Sequence, residues 1–342
     1  RAIVSTIDGV QKSFVSEMSL GEGIALNEAL CENLFVILVS ILNSIPVFVV
    51  GKPGSSKSLA MELVQSNLNG DASATPFLRS LPAVEVFSYQ CSPLSTSGGI
   101  EEAFTAARRY HADAPNTVCV VLLDEVGLAE QSPHLPLKVL HSALEHKDVS
   151  VVGISNWSLD PAKMNRAVHL FRPAPTVEDL SLTAEGMVGS AQLKSYLTSL
   201  AGGYSEVYHA QSQQDFWGLR EFYSTVRAIN RALKARPGTP LSAEMMLAAL
   251  QRNYGGHASA VTEEVISVFF ERMGFSAHAN VPRTSIVDLV KQNLHEVEAR
   301  HLMLITRNSA ALSMLFDFGI LDLKKTCVII GSDFKDDQSD LA

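Results

Sequence analysis

The sequence predicts an α/β protein: a parallel β-sheet flanked by helices, followed by an α-helical subdomain and a short βαβ piece near the C-terminal end. Between residues 25 and 175, short apolar runs of the kind that form fully buried strands alternate with helix-length segments. Such alternation builds parallel sheets, because each parallel pair needs a crossover connection. From Thr176 the strand runs cease and helical periodicity takes over, up to the punctuation at Gly255-Gly256. The 342 residues are 46% hydrophobic, enough to bury a real core and consistent with about two domains.

Composition excludes several classes. Only 18% of residues are charged, and 36 acidic against 27 basic side chains give a net charge of −9. No long basic run is present, so a sequence-independent grip on nucleic acid is not expected. Sparse charge with positive mean hydropathy suggests surface covered by something else. Cys31, Cys91, Cys119 and Cys327 have no metal or redox spacing and read as reduced thiols of a cytoplasmic protein. The chain starts at Arg1 with no signal peptide and reads as an excerpt or processed piece.

The elements follow in order. Residues 1–24 read as a linker, Ala25 to Leu42 as a buried helix and Val47 to Val50 as a buried strand. Asn33 to Gly51 carries no charge, but Ser40, Asn43, Ser44 and above all Pro46 interrupt it, so no transmembrane segment is expected. The strand leads into Gly51-Lys52-Pro53-Gly54-Ser55-Ser56-Lys57-Ser58 and then a helical Leu59 to Val64. A strand, a glycine-bearing turn and a helix N-terminus aim backbone N–H groups and a helix dipole at an anion. Lys57 is placed to reach the β- and γ-phosphates of a nucleotide, and the Ser58 hydroxyl to hold Mg²⁺. Ser56 stands where the phosphate-loop pattern GxxxxGK[ST] has its last glycine, which would loosen the nucleotide grip.

After an insertion at Asp71 to Ala83 come a strand, Val84 to Tyr89, and a helix, Gly99 to His111. The buried run Thr117 to Leu123 then ends in Asp124-Glu125. Carboxylates at the C-terminal end of a parallel strand sit where ligands bind. Asp124 would hold Mg²⁺ through water and Glu125 would polarise an attacking water. A helix at Leu135 to Leu144 precedes the strand Val149 to Ser155, which delivers Asn156 toward a γ-phosphate or the lytic water. The spacing puts that strand between the two carrying the other motifs. Leu159 to Arg166 reads as a short helix, Val168 to Phe171 as the last strand, and Arg172-Pro173 closes it. Helices follow at about 178–188, 192–201, 216–234, 242–253 and 259–273, and then a small βαβ piece spans His301 to Gly331. His134, His141 and His146 lack a ligand spacing, and Trp157 reads as packing.

The ordered set of phosphate loop, Asp124-Glu125, Asn156 and Arg166 resembles the core of an AAA+ ATPase. The resemblance implies a P-loop sheet with an α-helical lid at 176–256. It implies ATP and Mg²⁺ as cofactors, with Gly51, Lys52, Pro53, Gly54, Ser55, Ser56, Lys57, Ser58 and Leu59 around the phosphates. Arg166 takes the place of the arginine finger that acts on a neighbouring unit's nucleotide, with Arg172 as a second candidate. Arg220 takes that of the second sensor in the lid, with Arg227 and Arg231 on the same helix. The phrases around these motifs, among them Leu122 to Glu130 and Gly153 to Arg166, also resemble the mysterin family. These are giant ring-finger ubiquitin ligases with a dynein-like row of AAA units, and the likeness is to the fourth unit. It implies that residues 257–342 connect to the start of a further, nucleotide-incompetent unit, and that the partners are adjacent AAA units and, through other parts of the parent, the ubiquitin machinery. It also implies a cytosolic setting with access to lipid droplets.

Two functional classes therefore compete: an ATP-hydrolysing module, and a non-hydrolysing one in which ATP only cements a ring. The adjacent Asp-Glu pair argues against a P-loop kinase or transferase.

Overall fold

The computed structural model describes residues 2–21, 24–146, 148–161, 165–188, 191–212, 216–276, 280–296, 302, 304, 306 and 310–327. The chain divides into two compact units, 1–240 and 241–342.

The first unit is built on five parallel strands: β1 (Val47–Gly51), β2 (Ala83–Gln90), β3 (Thr117–Asp124), β4 (Ser150–Ser155) and β5 (Val168–Arg172), in the spatial order β2-β3-β4-β1-β5. As the spacing predicts, β4 lies between the strands that carry the phosphate-loop and acidic motifs. Side-chain alternation divides the core in two. Val47, Val49, Val120, Val152 and Ile154 face one side, packing with α1 (Ala2–Ser16), α2 (Glu28–Leu42) and α3 (Lys57–Asn67). Phe48, Val50, Val121, Leu123 and Val151 face the other, with α5 (Ser97–Asp113), α6 (Val126–Ala129) and α7 (Leu140–Ala143). The short α4 (Pro76–Arg79) lies in the insertion before β2. Gly153 makes room for Phe48: a Cβ there would lie 2.2 Å from the ring.

Four expectations need correction. Residues expected as a linker hold α1, whose Val15 enters the core. The helix expected from Ala25 begins at Glu28, because the Asn27 side chain accepts the Leu30 N–H at 2.7 Å and caps it. In place of one helix from Leu135 to Leu144 there is a 3₁₀ turn (Pro136–Val139) and then α7. Leu135 precedes a proline, which disfavours the α region, and takes φ +46° instead. The helix expected at 192–201 is two, α8 (Val177–Met187) being followed by α9 (Ala191–Lys194) and the longer α10 (Leu197–Ala210). The next, α11 (Leu219–Lys234), starts where the Gly218 N–H donates to Glu221 at 2.7 Å.

The second unit contains α12 (Ala243–Asn253), α13 (Ser259–Met273), α14 (Ile286–Leu294) and α15 (Ala310–Asp317). By packing, α12 belongs here, although the sequence groups it with the lid. Tyr254 and Phe269 meet with ring centroids 5.1 Å apart, and Arg252 ion-pairs with Glu296. The expected strands at 301–306 and 326–331 fall largely outside the described residues, as does the middle of the expected helix at 159–166. Among the described residues no helix is long and apolar enough to cross a membrane.

Candidate functional site

The β1–α3 loop is held by its own backbone. Ser55 donates to the Lys52 carbonyl through its N–H (3.3 Å) and its hydroxyl (2.8 Å). Gly51 has no space for a side chain, since a Cβ would lie 2.6 Å from Arg172 Cβ. Gly54 takes φ +89° and Ser56 φ +58°, a left-handed geometry that glycine adopts freely and serine does not. The departure from the phosphate-loop pattern thus keeps glycine geometry with a serine in it.

Lys57, the first residue of α3, folds back under the loop. Its Nζ, with three N–H bonds to give, lies within hydrogen-bond reach of four oxygens: the carbonyls of Gly51 (2.5 Å) and Lys52 (2.9 Å), Ser55 Oγ (3.3 Å) and Asn156 Oδ1 (3.3 Å). Burial, helped by Arg220 and opposed by the nearby Asp124 and Glu125, lowers its pKa from 10.5 to about 8. A desolvated ammonium held mainly by neutral oxygens lacks a full counter-charge, and this is the environment a phosphate completes.

Opposite the loop, β3 ends at Asp124, whose Oδ1 accepts the Glu125 N–H at 3.0 Å. Glu125 turns through φ +52° to open α6. Cys91 donates its N–H to the Asp124 carbonyl (2.8 Å), and burial beside both carboxylates pushes its thiol up to about 12. It is therefore no nucleophile at neutral pH.

These groups line one cleft of about 480 Å³. Gly54, Ser56, Lys57, Ser58 and Leu59 face it with Asp124, Glu125, Asn156, Arg220 and Arg227. Ile24, Ala25, Asn27, Thr183, Met187 and Tyr223 also line it. Asn27 donates to Thr183 Oγ1 at 2.8 Å, and Thr183 to the Asp179 carbonyl at 2.7 Å, which ties the chain before α2 to α8. Of the other expected site residues, Pro53 also faces the cleft, Gly51 and Ser55 sit behind Lys57, and Lys52 lines a smaller neighbouring pocket with Tyr204 and Phe216.

The two arginines after β4 differ sharply. Arg166 does not line the cleft; its Nη1 reaches the His141 carbonyl (2.7 Å) and Glu145 (3.1 Å) and stays half-exposed. Arg172 is buried, ion-paired with Glu32 and stacked against Gly51. On α11, Arg220 and Arg227 both face the cleft from one side of the helix.

Sequence reasoning missed Asn33, which donates from Nδ2 to the Ser55 carbonyl at 3.0 Å, and the cleft-lining Asn27, Thr183 and Tyr223. A lone amide in the apolar run of α2 was a readable signal; Thr183 and Tyr223 carried none.

A five-stranded parallel sheet, a lysine-bearing loop after β1, paired acids after β3 and an arginine from a following helix in the same cleft define an AAA+-type module. A family model described as RNF213 AAA domain matches residues 23–179, and a second of the same description matches 291–342. The chain belongs to this RNF213, or mysterin, family of AAA modules. It is 36% identical over 366 residues to E3 ubiquitin-protein ligase RNF213 of Mus musculus and over 373 residues to that of Homo sapiens, in each case across 99% of this chain. It is also 36% identical to rnf213-beta of Danio rerio over 357 residues, across 97% of this chain. The chain spans 7% of the length of each of these relatives. Among solved structures, Aeropyrum pernix ORC1 in complex with DNA is 15% identical, with a TM-score of 0.47 over 88% of this chain and 85% of that one.

Proposed function

We propose that the chain is an ATP-binding, Mg²⁺-dependent ATP-hydrolysing AAA+ module of a large multi-unit ubiquitin ligase, the fourth unit of its row, and that it couples nucleotide state to movement of its helical lid. The observation that carries this reading is the buried Lys57 ammonium facing Asp124, Glu125 and Asn156 in one cleft. Lys57 and the loop N–H groups bind the phosphates, and Ala25, Thr183 and Tyr223, which line the same cleft, take the base. Ser58 and Asp124 would hold Mg²⁺, whose charge would offset that of the phosphate oxygens. Glu125 polarises the attacking water and Asn156 orients it. Arg220 senses the γ-phosphate from the lid. Arg166, held by surface contacts that contribute little stability, turns to the nucleotide of a neighbouring AAA unit, whereas buried Arg172 stays with Glu32. Ubiquitin transfer then belongs to other parts of the parent protein, in the cytosol.

Single-turnover hydrolysis in the full-length parent protein tests the reading. Glu125→Gln should bind ATP as the wild type does and slow this site's turnover by at least about 100-fold. Unchanged turnover with intact binding would instead favour a structural ATP module. The strained Ser56 is the one feature that favours that alternative.

A further inference from the structure

We infer that Asn33, on α2, is a positioning residue that holds the phosphate loop in its anion-binding form and compensates for serine at position 56. The inference deepens the nucleotide-binding reading and rests on it.

Asn33 is fully buried where the apolar stretch of α2 begins. Only its NH₂ can serve the Ser55 carbonyl, so the 3.0 Å bond fixes the amide's orientation. That leaves Oδ1 buried with no hydrogen-bond partner. A buried orphan acceptor is costly, and a leucine would fill the space without it. The orphan is therefore explained by what the other end of the amide does.

The Ser55 carbonyl and the Ser56 N–H belong to one planar trans peptide and point in opposite directions. Tying the carbonyl to α2 turns the N–H away from α2, in a loop whose Ser56 and Lys57 line the cleft. With glycine at position 56 this arrangement would meet no steric resistance. Serine at φ +58° resists it, and rotation of the peptide would relieve the strain. The Asn33 bond opposes that rotation. One residue earlier on α2, Glu32 pairs with Arg172, whose side chain packs on Gly51. Consecutive residues of α2 thus brace both ends of the loop.

The test measures Mg²⁺–mant-ADP affinity and nucleotide-free melting for Asn33→Leu, alone and with Ser56→Gly, with Lys57→Met as a control. Asn33→Leu should weaken mant-ADP binding about tenfold with serine at 56, and less than about threefold with glycine there. A purely structural role would lower the melting temperature with no dependence on residue 56. Should Asn33→Leu not fold, Asn33→Ala takes its place in the same comparison. Equal losses in the two backgrounds, or no loss while Lys57→Met abolishes binding, would overturn the role of Asn33 alone. If Lys57→Met binds like the wild type, the nucleotide reading falls and the inference with it.

Discussion

At the scale of single residues, the buried Lys57 makes the module sensitive to pH. Its folded-state pKa of about 8 lies below the ordinary 10.5. Between those values the unfolded chain holds a proton that the folded one has released, so stability on this account rises with pH. Relative to Lys57→Met, the nucleotide-free wild type should gain stability from about pH 8 to about pH 10, and stay level below pH 8, in denaturant titrations. Nucleotide affinity should move the other way, falling above about pH 8 by up to about tenfold per unit, because the anion needs the protonated lysine. Ser56→Gly should release about 1 kcal/mol of left-handed strain and raise the melting temperature by about 2–4 °C. The identities of Lys57, Asp124, Glu125, Asn156 and Arg220 were legible because each follows a strand or opens a helix at a recognisable place. Which of Arg166 and Arg172 points outward was not, since burial and the pairing with Glu32 depend on a contact 140 residues apart in the chain.

At the scale of elements, the β1–α3 loop and the start of α11 pack against each other. A Cβ on Gly54 would lie 2.7 Å from Leu219 Cβ, and Arg220 is the next residue. Gly54→Ala should therefore cost about 1–3 kcal/mol and displace the N-terminal turn of α11. Trp217 is buried just before that turn, and the chain has 2 tryptophans. In a Trp157→Phe background its emission should shift to the red with Gly54→Ala; an unshifted spectrum would mean that the turn has stayed in place. The strands were readable from their apolar runs to within a residue or two. The helices were less so: after β5, amphipathic periodicity does not mark the break between α9 and α10, and before β4, Pro136 reshapes its helix through the residue before it.

At the scale of the molecule, among the described residues both apolar clusters of the α/β body draw only on those between Phe14 and Leu170. Residues 1–240 should accordingly unfold cooperatively by themselves and gain about 2.7 kcal/mol at a hundredfold nucleotide excess over Kd. Limited trypsinolysis of the whole chain should cut early after Lys234, in the exposed stretch before Pro240. Loss of folding in the 1–240 fragment would show that the second unit is needed for the first. The sequence disclosed that helices succeed the sheet. It did not disclose where one compact unit gives way to the next, because that boundary is set by which helices bury each other's apolar faces.

Gly153 has a consequence in genetic terms. The Phe48 ring occupies the space its side chain would take, and Phe48 and Gly153 are register partners on the strands that lead to the Lys57 loop and to Asn156. Any missense change at codon 153 would wedge those strands apart. Such alleles should behave as loss-of-function or temperature-sensitive, although the residue never touches a ligand. Population variation should be rarer there than at the exposed serines of the same loop-bearing face.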